Sequence, residues 1–280
     1  MRWSEARTAD WLARIGHGGG LQPRLETLAA LHQAHVLAVP FEHLDALRGR
    51  VPSLTLPDLQ RKLVEERRGG WCFEHAAFLQ AQLQALGFEV TVLPAAVLWE
   101  QPPQARPAAE HAVLQVALDG QDWLVDAGFG RLTLTAPLRL EAGPEQGTPH
   151  GRYRLLAEPD GLLRVEALLD RGWAPLYRLA RRAWAAADWL GVNARLARHA
   201  DSRFRQHLFL ARAGAGGVRH SLRNGRYLRR DAAGHAEMRQ LPDLPSLQAV
   251  MTEAFGLDLR AIDDDGTLPA LLTRCLETPT

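Results

Sequence analysis

Arg68-Gly69-Gly70-Trp71-Cys72-Phe73-Glu74 separates two helical patterns. Upstream, Leu59, Leu63 and Val64 form an apolar stripe that breaks at Gly69-Gly70. Downstream, Cys72, Ala76, Ala77, Leu79, Leu83 and Leu86 recur at helical spacing until Gly87 supplies a stop. The spacing therefore puts Cys72 in the first turn of a helix. Free amide N–H groups and the positive end of the helix dipole favour a thiolate there. The position reads as a nucleophile in preference to an inert core cysteine.

Working outward, residues 1–87 read as a helical bundle. A first helix over 8–15 carries Trp11, Leu12 and Ile15 on one face and ends at a glycine run. Pro23 suits the first position of a second helix, which Pro40 closes. Residues 39–44 read as a loop, and Pro57 opens the third helix. After Gly87 the period drops to two. Residues 88–93 and 95–99 read as two strands, with a Pro-rich loop over 100–110. His111 to Leu118 is a strand, Asp119-Gly120 a hairpin turn, and Trp123 to Asp126 the return. Strands over 153–156, 162–167 and 173–179 complete a β-barrel domain over 88–195. The last domain, 196–280, mixes strands over 204–211 and 218–228 with helices over 247–255 and 268–276. Asn224-Gly225 is a tight turn, and Ser246 is an N-cap for the first of these helices.

Composition agrees with a globular enzyme. The 280 residues are 46% hydrophobic and 23% charged, enough for two or three small domains. A net charge of +1 gives no pull towards nucleic acid or a membrane surface. Lys62 is the only lysine in an arginine-rich chain. The two cysteines, Cys72 and Cys275, offer neither a disulfide framework nor zinc spacing, which fits a reducing, cytoplasmic setting. Residues 1–20 lack the apolar core of a signal peptide, and no apolar run has membrane-spanning length.

A thiolate nucleophile needs a base, and the base an orienting group. If the Asp119-Gly120 turn has two residues, Leu118 faces Gln121, Val113 faces Asp126 and His111 faces Gly128. His111 and Asp126 then share one face, a diagonal step apart, within reach of each other. Gly128 leaves the space beside the imidazole empty. Cys72, His111 and Asp126 are thus the candidate catalytic residues. The bland alternative is a solvent-facing histidine on a hairpin whose aspartate caps a turn.

These stretches resemble the arylamine N-acetyltransferases. The Arg68–Glu74 stretch is similar to that family's nucleophile motif. His111-Ala112-Val113-Leu114-Gln115-Val116 and Leu124-Val125-Asp126-Ala127-Gly128-Phe129-Gly130 match its histidine and aspartate motifs. Val39-Pro40-Phe41-Glu42 and Trp11-Leu12-Ala13-Arg14-Ile15-Gly16 match two motifs of its helical domain. The resemblance spans roughly residues 10–230. It implies an α+β fold: an N-terminal helical bundle, a central antiparallel β-barrel and a C-terminal α/β lid, with a papain-like Cys-His-Asp site between the first two. It also implies acetyl-CoA as acyl donor, with no permanently bound cofactor or metal, and small aromatic amines or hydrazines as acceptors. Phe41, Val97 and Phe129 would wall the acceptor site, and Gly128, Gly130 and Phe204 would lie along the CoA cleft. Arg68 either meets a substrate anion or, the preferred reading, pairs with Glu42 and Asp45 to support the nucleophile. Two positions depart from the family, which commonly has Asn where this chain has His43 and Ala76. The rival readings are an amide synthase with a carrier-bound acyl donor, a cysteine hydrolase, a non-catalytic CoA- or aromatic-binding module, and a metal site from His32, His35, Glu42 and His43. No oligomeric state follows from the sequence.

Overall fold

A computed structural model describes residues 5–102 and 104–278. Residues 1–4 and 279–280, at the ends of the first and last expected domains, and Pro103, in the expected 100–110 loop, lie outside the described residues. Five helices come first: α1 (Glu5–Ile15), α2 (Leu25–Ala38), α3 (Leu44–Leu47), α4 (Leu56–Gln60) and α5 (Cys72–Ala85). Pro23 stands two residues before α2, outside its first turn. Between α4 and α5 the chain makes a π-helical turn, Arg61–Glu65. Three consecutive residues of this turn, Lys62, Leu63 and Val64, are buried.

The barrel strands follow: β1 (Glu89–Val97), β2 (His111–Leu118), β3 (Gln121–Val125), β4 (Leu138–Arg139), β5 (Gln146–Thr148), β6 (Gly151–Ala157), β7 (Leu163–Leu169) and β8 (Gly172–Leu179). They form one antiparallel sheet in the order β4-β3-β2-β1-β8-β7-β6-β5. The sheet curls until its ends nearly meet. There the Gln146 side chain accepts from Arg139 N–H (2.7 Å) and donates to the Arg139 carbonyl (3.2 Å), bridging the seam. The two strands expected over 88–99 are one. Pro94 interrupts nothing, because its carbonyl points to Ala180, just past the end of β8 (3.3 Å), and its missing N–H falls on that same side. The hairpin register is the expected one, Leu118 opposite Gln121. Asp119 (φ 50°) and Gly120 (φ 71°) both take the left-handed conformation that a two-residue hairpin needs.

Alternation along β1 and β2 divides the core. Val90, Val92, Ala112, Leu114 and Val116 pack outward against Phe78, Leu79 and Trp11 of the helices. Leu93, Ala95 and Val113 point into the barrel with Leu155, Val165 and Tyr177. The chain then returns to the helices through α6 (Ala186–Arg198), which buries Trp189, Leu196 and Ala197 in the helical core. The boundary expected at 195/196 therefore lies inside a helix.

The C-terminal part comprises α7 (Arg203–Gln206), β9 (Phe209–Ala213), β10 (Arg219–Arg223), β11 (Arg226–Arg230), β12 (Ala236–Gln240), α8 (Leu244–Glu253), α9 (Leu259–Ile262) and α10 (Leu268–Glu277). Its four strands run in sequential antiparallel order, with their own core around Phe255, Met251 and Leu272. Two expectations need correction. Phe204 lies on a one-turn helix, not a strand, because the Ser202 hydroxyl accepts from Phe204 N–H and turns the chain. The cap of α8 is Asp243, which accepts from Ser246 N–H; Ser246 is already helical.

Behind the nucleophile, α3, the π turn and α5 are tied by buried charges. Lys62 meets Asp45 and Glu74, both at 2.7 Å. Arg68 meets Glu42 (2.9 Å) and Asp45 (3.1 Å). Three carboxylates share two cations, so one carboxylate is in excess. Burial pushes Glu74 up to about 7, against Lys62 and with help from Asp45 and Glu42. Between its ordinary 4.5 and about 7 the folded chain holds a proton that the unfolded chain has released. Stability therefore falls as pH rises through that window. Glu74→Gln removes this titration while keeping an oxygen for the Trp71 N–H. The slope of Tm between pH 5 and pH 7 is expected to flatten in this variant, and an unchanged slope would refute the assignment.

Candidate active site

Cys72 opens α5, with Trp71 as its N-cap residue. Glu74 accepts from Trp71 N–H (3.1 Å), which takes up one amide ahead of the helix and fixes its start. The indole of Trp71 donates to the Asn193 side chain on α6 (3.1 Å), and Asn193 in turn donates to the Pro52 carbonyl (3.0 Å). Sequence periodicity gave no hint of Asn193. It sits in an alanine-rich stretch, and only the fold brings it to Trp71.

His111 begins β2 and Asp126 follows β3, so the hairpin holds both on a rigid frame. His111 Nε2 lies 2.9 Å from Asp126 Oδ2, and both are buried, at 3% and 2% exposure. The other oxygen of Asp126 accepts from Gly128 N–H (2.9 Å). With Nε2 committed, Nδ1 is the ring atom left for Cys72, whose side chain acts on the imidazole and whose sulfur also lies 4.0 Å from the Glu110 carbonyl. Burial opposes a charge on His111. The Asp126 carboxylate and hydrogen bond, reinforced by Cys72, outweigh it and push the imidazole up to about 10. Asp126 is held below its ordinary value by the same pair, despite burial. The arrangement can hold a proton on the ring beside a sulfur nucleophile at neutral pH.

The space expected beside Gly128 is not empty: Cys72 fills it. A Cβ at Gly128 would lie 2.5 Å from Cys72 Cα, so glycine lets the aspartate loop meet the nucleophile helix backbone to backbone. Phe129 sets its edge on His111 (ring centroids 5.4 Å apart), and Tyr177 packs on both rings at 5.2 Å. Val97 pairs with Tyr177 across β1 and β8 and is half-buried. Phe41 stands opposite Gly130, whose φ is +84°. Phe204 is buried against Trp71 (5.4 Å) and His43 (5.1 Å).

One short segment ties the nucleophile loop to the C-terminal sheet. Phe41 exchanges backbone hydrogen bonds with Ala211 of β9 (2.8 and 3.1 Å). Its neighbours Pro40 and Glu42 bond Gly70 (3.1 and 3.0 Å). His43 accepts from Phe209 N–H (3.0 Å), and burial takes its ring down to about 3, so it stays neutral. An asparagine carbonyl can accept the same kind of bond. Ala76 lies in the helical core. The alternative metal group is dispersed. His35 bonds Trp11 and His75, Glu42 serves Arg68 and Leu44 N–H, and His43 serves β9. Among the described residues no group of three or more His, Cys, Asp or Glu side chains is placed to hold a metal.

A cysteine at a helix start, facing a histidine charged by a buried aspartate, defines a thiol acyltransferase class of site. A family model described as N-acetyltransferase matches residues 24–263. The chain is 38% identical to an arylamine N-acetyltransferase of Escherichia coli over 254 residues, 91% of this chain and 89% of that one. It is 39% identical to the Mycolicibacterium smegmatis arylamine N-acetyltransferase over 254 residues, covering 89% and 91%. The solved arylamine N-acetyltransferase of Mycobacterium marinum superposes with TM-score 0.91 at 33% identity, over 96% of this chain and 99% of that one. The same protein has been solved in complex with CoA. This chain belongs to the arylamine N-acetyltransferase family.

Gly128→Ala is expected to keep the chain folded but to separate Cys72 from the hairpin. Cys72 alkylation by iodoacetamide at pH 7 should slow by about tenfold or more. An unchanged alkylation rate would show that the close contact has no part in the site.

Proposed function

We propose that this protein transfers the acetyl group of acetyl-CoA to the nitrogen of an arylamine or arylhydrazine, through an acetyl-Cys72 intermediate. The observation that carries the reading is the buried His111–Asp126 pair beside a cysteine at the start of a helix. The Cys72 thiolate attacks the thioester carbonyl. As the tetrahedral adduct collapses, the carbon–sulfur bond to CoA breaks and the His111 imidazolium gives its proton to the departing thiolate. His111 is then neutral. In the second half, the amine attacks acetyl-Cys72, His111 takes the proton from its nitrogen, and Cys72 leaves as thiolate. The ion pair is restored. Asp126 keeps the ring oriented and stabilises each imidazolium. Acetylating the sulfur removes its negative charge, one of the influences that hold the proton on His111. The ring is thereby biased towards base for the second half. Backbone N–H groups at the start of α5 stabilise the oxyanion, worth roughly 3 kcal/mol for a well-aimed donor.

Weakly basic aromatic amines suit this chemistry because they remain neutral near pH 7, when an alkylamine is protonated and unreactive. Phe41, Val97 and Phe129 form the apolar wall for such an acceptor. Gly128, Gly130 and Phe204 are assigned to the approach for CoA; the M. marinum relative solved in complex with CoA supports CoA as the donor. Arg68 and Glu42 support the nucleophile loop from behind and take no direct part. A cytoplasmic location accords with two unpaired cysteines, Cys72 and Cys275. Among the described residues no helix is long and apolar enough to cross a membrane.

Mixing with acetyl-CoA should add one acetyl group to Cys72, seen by mass spectrometry, and an arylamine should discharge it. Asp126→Asn is expected to lower arylamine acetylation by about 10³-fold or more, because it strips His111 of the group that charges and orients it. Acetyl-CoA consumption that no arylamine accelerates would favour hydrolysis and overturn the transfer reading.

A further inference from the structure

We infer that Arg219, on β10 of the C-terminal sheet, is a positioning residue for the Cys72–His111–Asp126 site, acting through Thr133; the inference builds on the acyl-transfer reading above. Arg219 is 8% exposed. Its guanidinium donates to four oxygens: the carbonyls of His150 (3.1 Å), Arg131 (3.1 Å) and Thr133 (3.0 Å), and the Tyr153 hydroxyl (2.8 Å). All four are neutral. Among the described residues no carboxylate pairs with it, unlike Arg68 or Arg48. A buried cation without a counter-charge is costly, and it is tolerated here because its donors are met by these four oxygens. What an apolar residue cannot do is hold several carbonyls of one loop at fixed positions.

That loop is the one behind the triad aspartate. Thr133 N–H donates to the Gly130 carbonyl (3.0 Å), closing a turn. The Thr133 hydroxyl donates to the Asp126 carbonyl (2.7 Å) and accepts from Phe129 N–H (3.4 Å). Tyr153, itself held by Arg219, donates to the Leu132 and Thr133 carbonyls (3.2 and 3.3 Å). A continuous path therefore runs from Arg219 to Thr133, and from Thr133 to Asp126 and Phe129. Those two residues meet His111 from separate sides, one by hydrogen bond and one by ring edge. The C-terminal sheet is thus part of the frame that aims the imidazole at Cys72, although it supplies no group to the reaction.

The test is the pH profile of Cys72 alkylation by iodoacetamide, which requires neither acetyl-CoA nor an amine. Failure of the acyl-transfer reading, seen as no acetyl-enzyme in the wild type, is thereby separable from failure of this one. Thr133→Val should slow alkylation at pH 7 by about tenfold and move its rise to higher pH, whereas Thr133→Ser, which keeps the hydroxyl, should stay within about twofold of wild type. Arg219→Lys should move the profile in the same direction by a smaller factor. The double variant should be no slower than Thr133→Val, because both act on one path. If Arg219→Lys does not fold, Tyr153→Phe removes one of the guanidinium's acceptors and should give a smaller shift in the same direction. Variants that lower Tm but keep the wild-type profile would overturn the inference, as would losses that multiply in the double variant.

Discussion

A protonated imidazole inside a protein exists only beside an anion that is also inside, and this molecule is arranged around one such pair. His111 and Asp126 are both almost wholly buried. Each alone would be forced to neutrality; together, 2.9 Å apart, they stay charged. The sulfur of Cys72 borrows that charge. It can do so because a hairpin sets the pair on two adjacent strands and a glycine lets the hairpin's end touch the nucleophile helix. The remainder of the fold holds that contact in place.

The supports come from three directions and differ in kind. Behind Cys72 they are ionic: Lys62, buried on the π-helical turn, and Arg68 share Glu42, Asp45 and Glu74. To one side they are backbone bonds. Residues 40–42 join Gly70 on one edge and Ala211 on the other, so the helical part, the nucleophile loop and the C-terminal sheet meet at a single segment. Behind Asp126 they run through Thr133 to the buried Arg219. The site between the helical and barrel parts thus depends on a third part that contributes no reacting group.

Much of this was legible locally. A cysteine after Gly69-Gly70 and before an apolar stripe can be assigned to a helix start from spacing alone. The register of the His111–Asp126 hairpin followed from two turn residues, since period-two alternation leaves few ways to pair the strands. The misreadings were local too. The break expected between residues 93 and 95 is absent, because the Pro94 carbonyl falls at the end of a neighbour. The stretch from Phe204 looked extended until Ser202 capped a helical turn. The cap of α8 moved from Ser246 to Asp243 because a helix start depends on which side chain reaches back, and two candidates stood three residues apart.

Sequence alone singled out Cys72, His111 and Asp126 and the secondary element that presents each, because all three stand at helix or strand ends. Tertiary structure decided what surrounds them. Partners such as Asn193 with Trp71, Arg219 with Thr133 and His43 with Phe209 are 86 or more residues apart along the chain. No periodicity links residues so distant. Their pairing arises only when three separately packed cores close on one another, and with it comes the burial that makes the imidazole's charge depend on its aspartate.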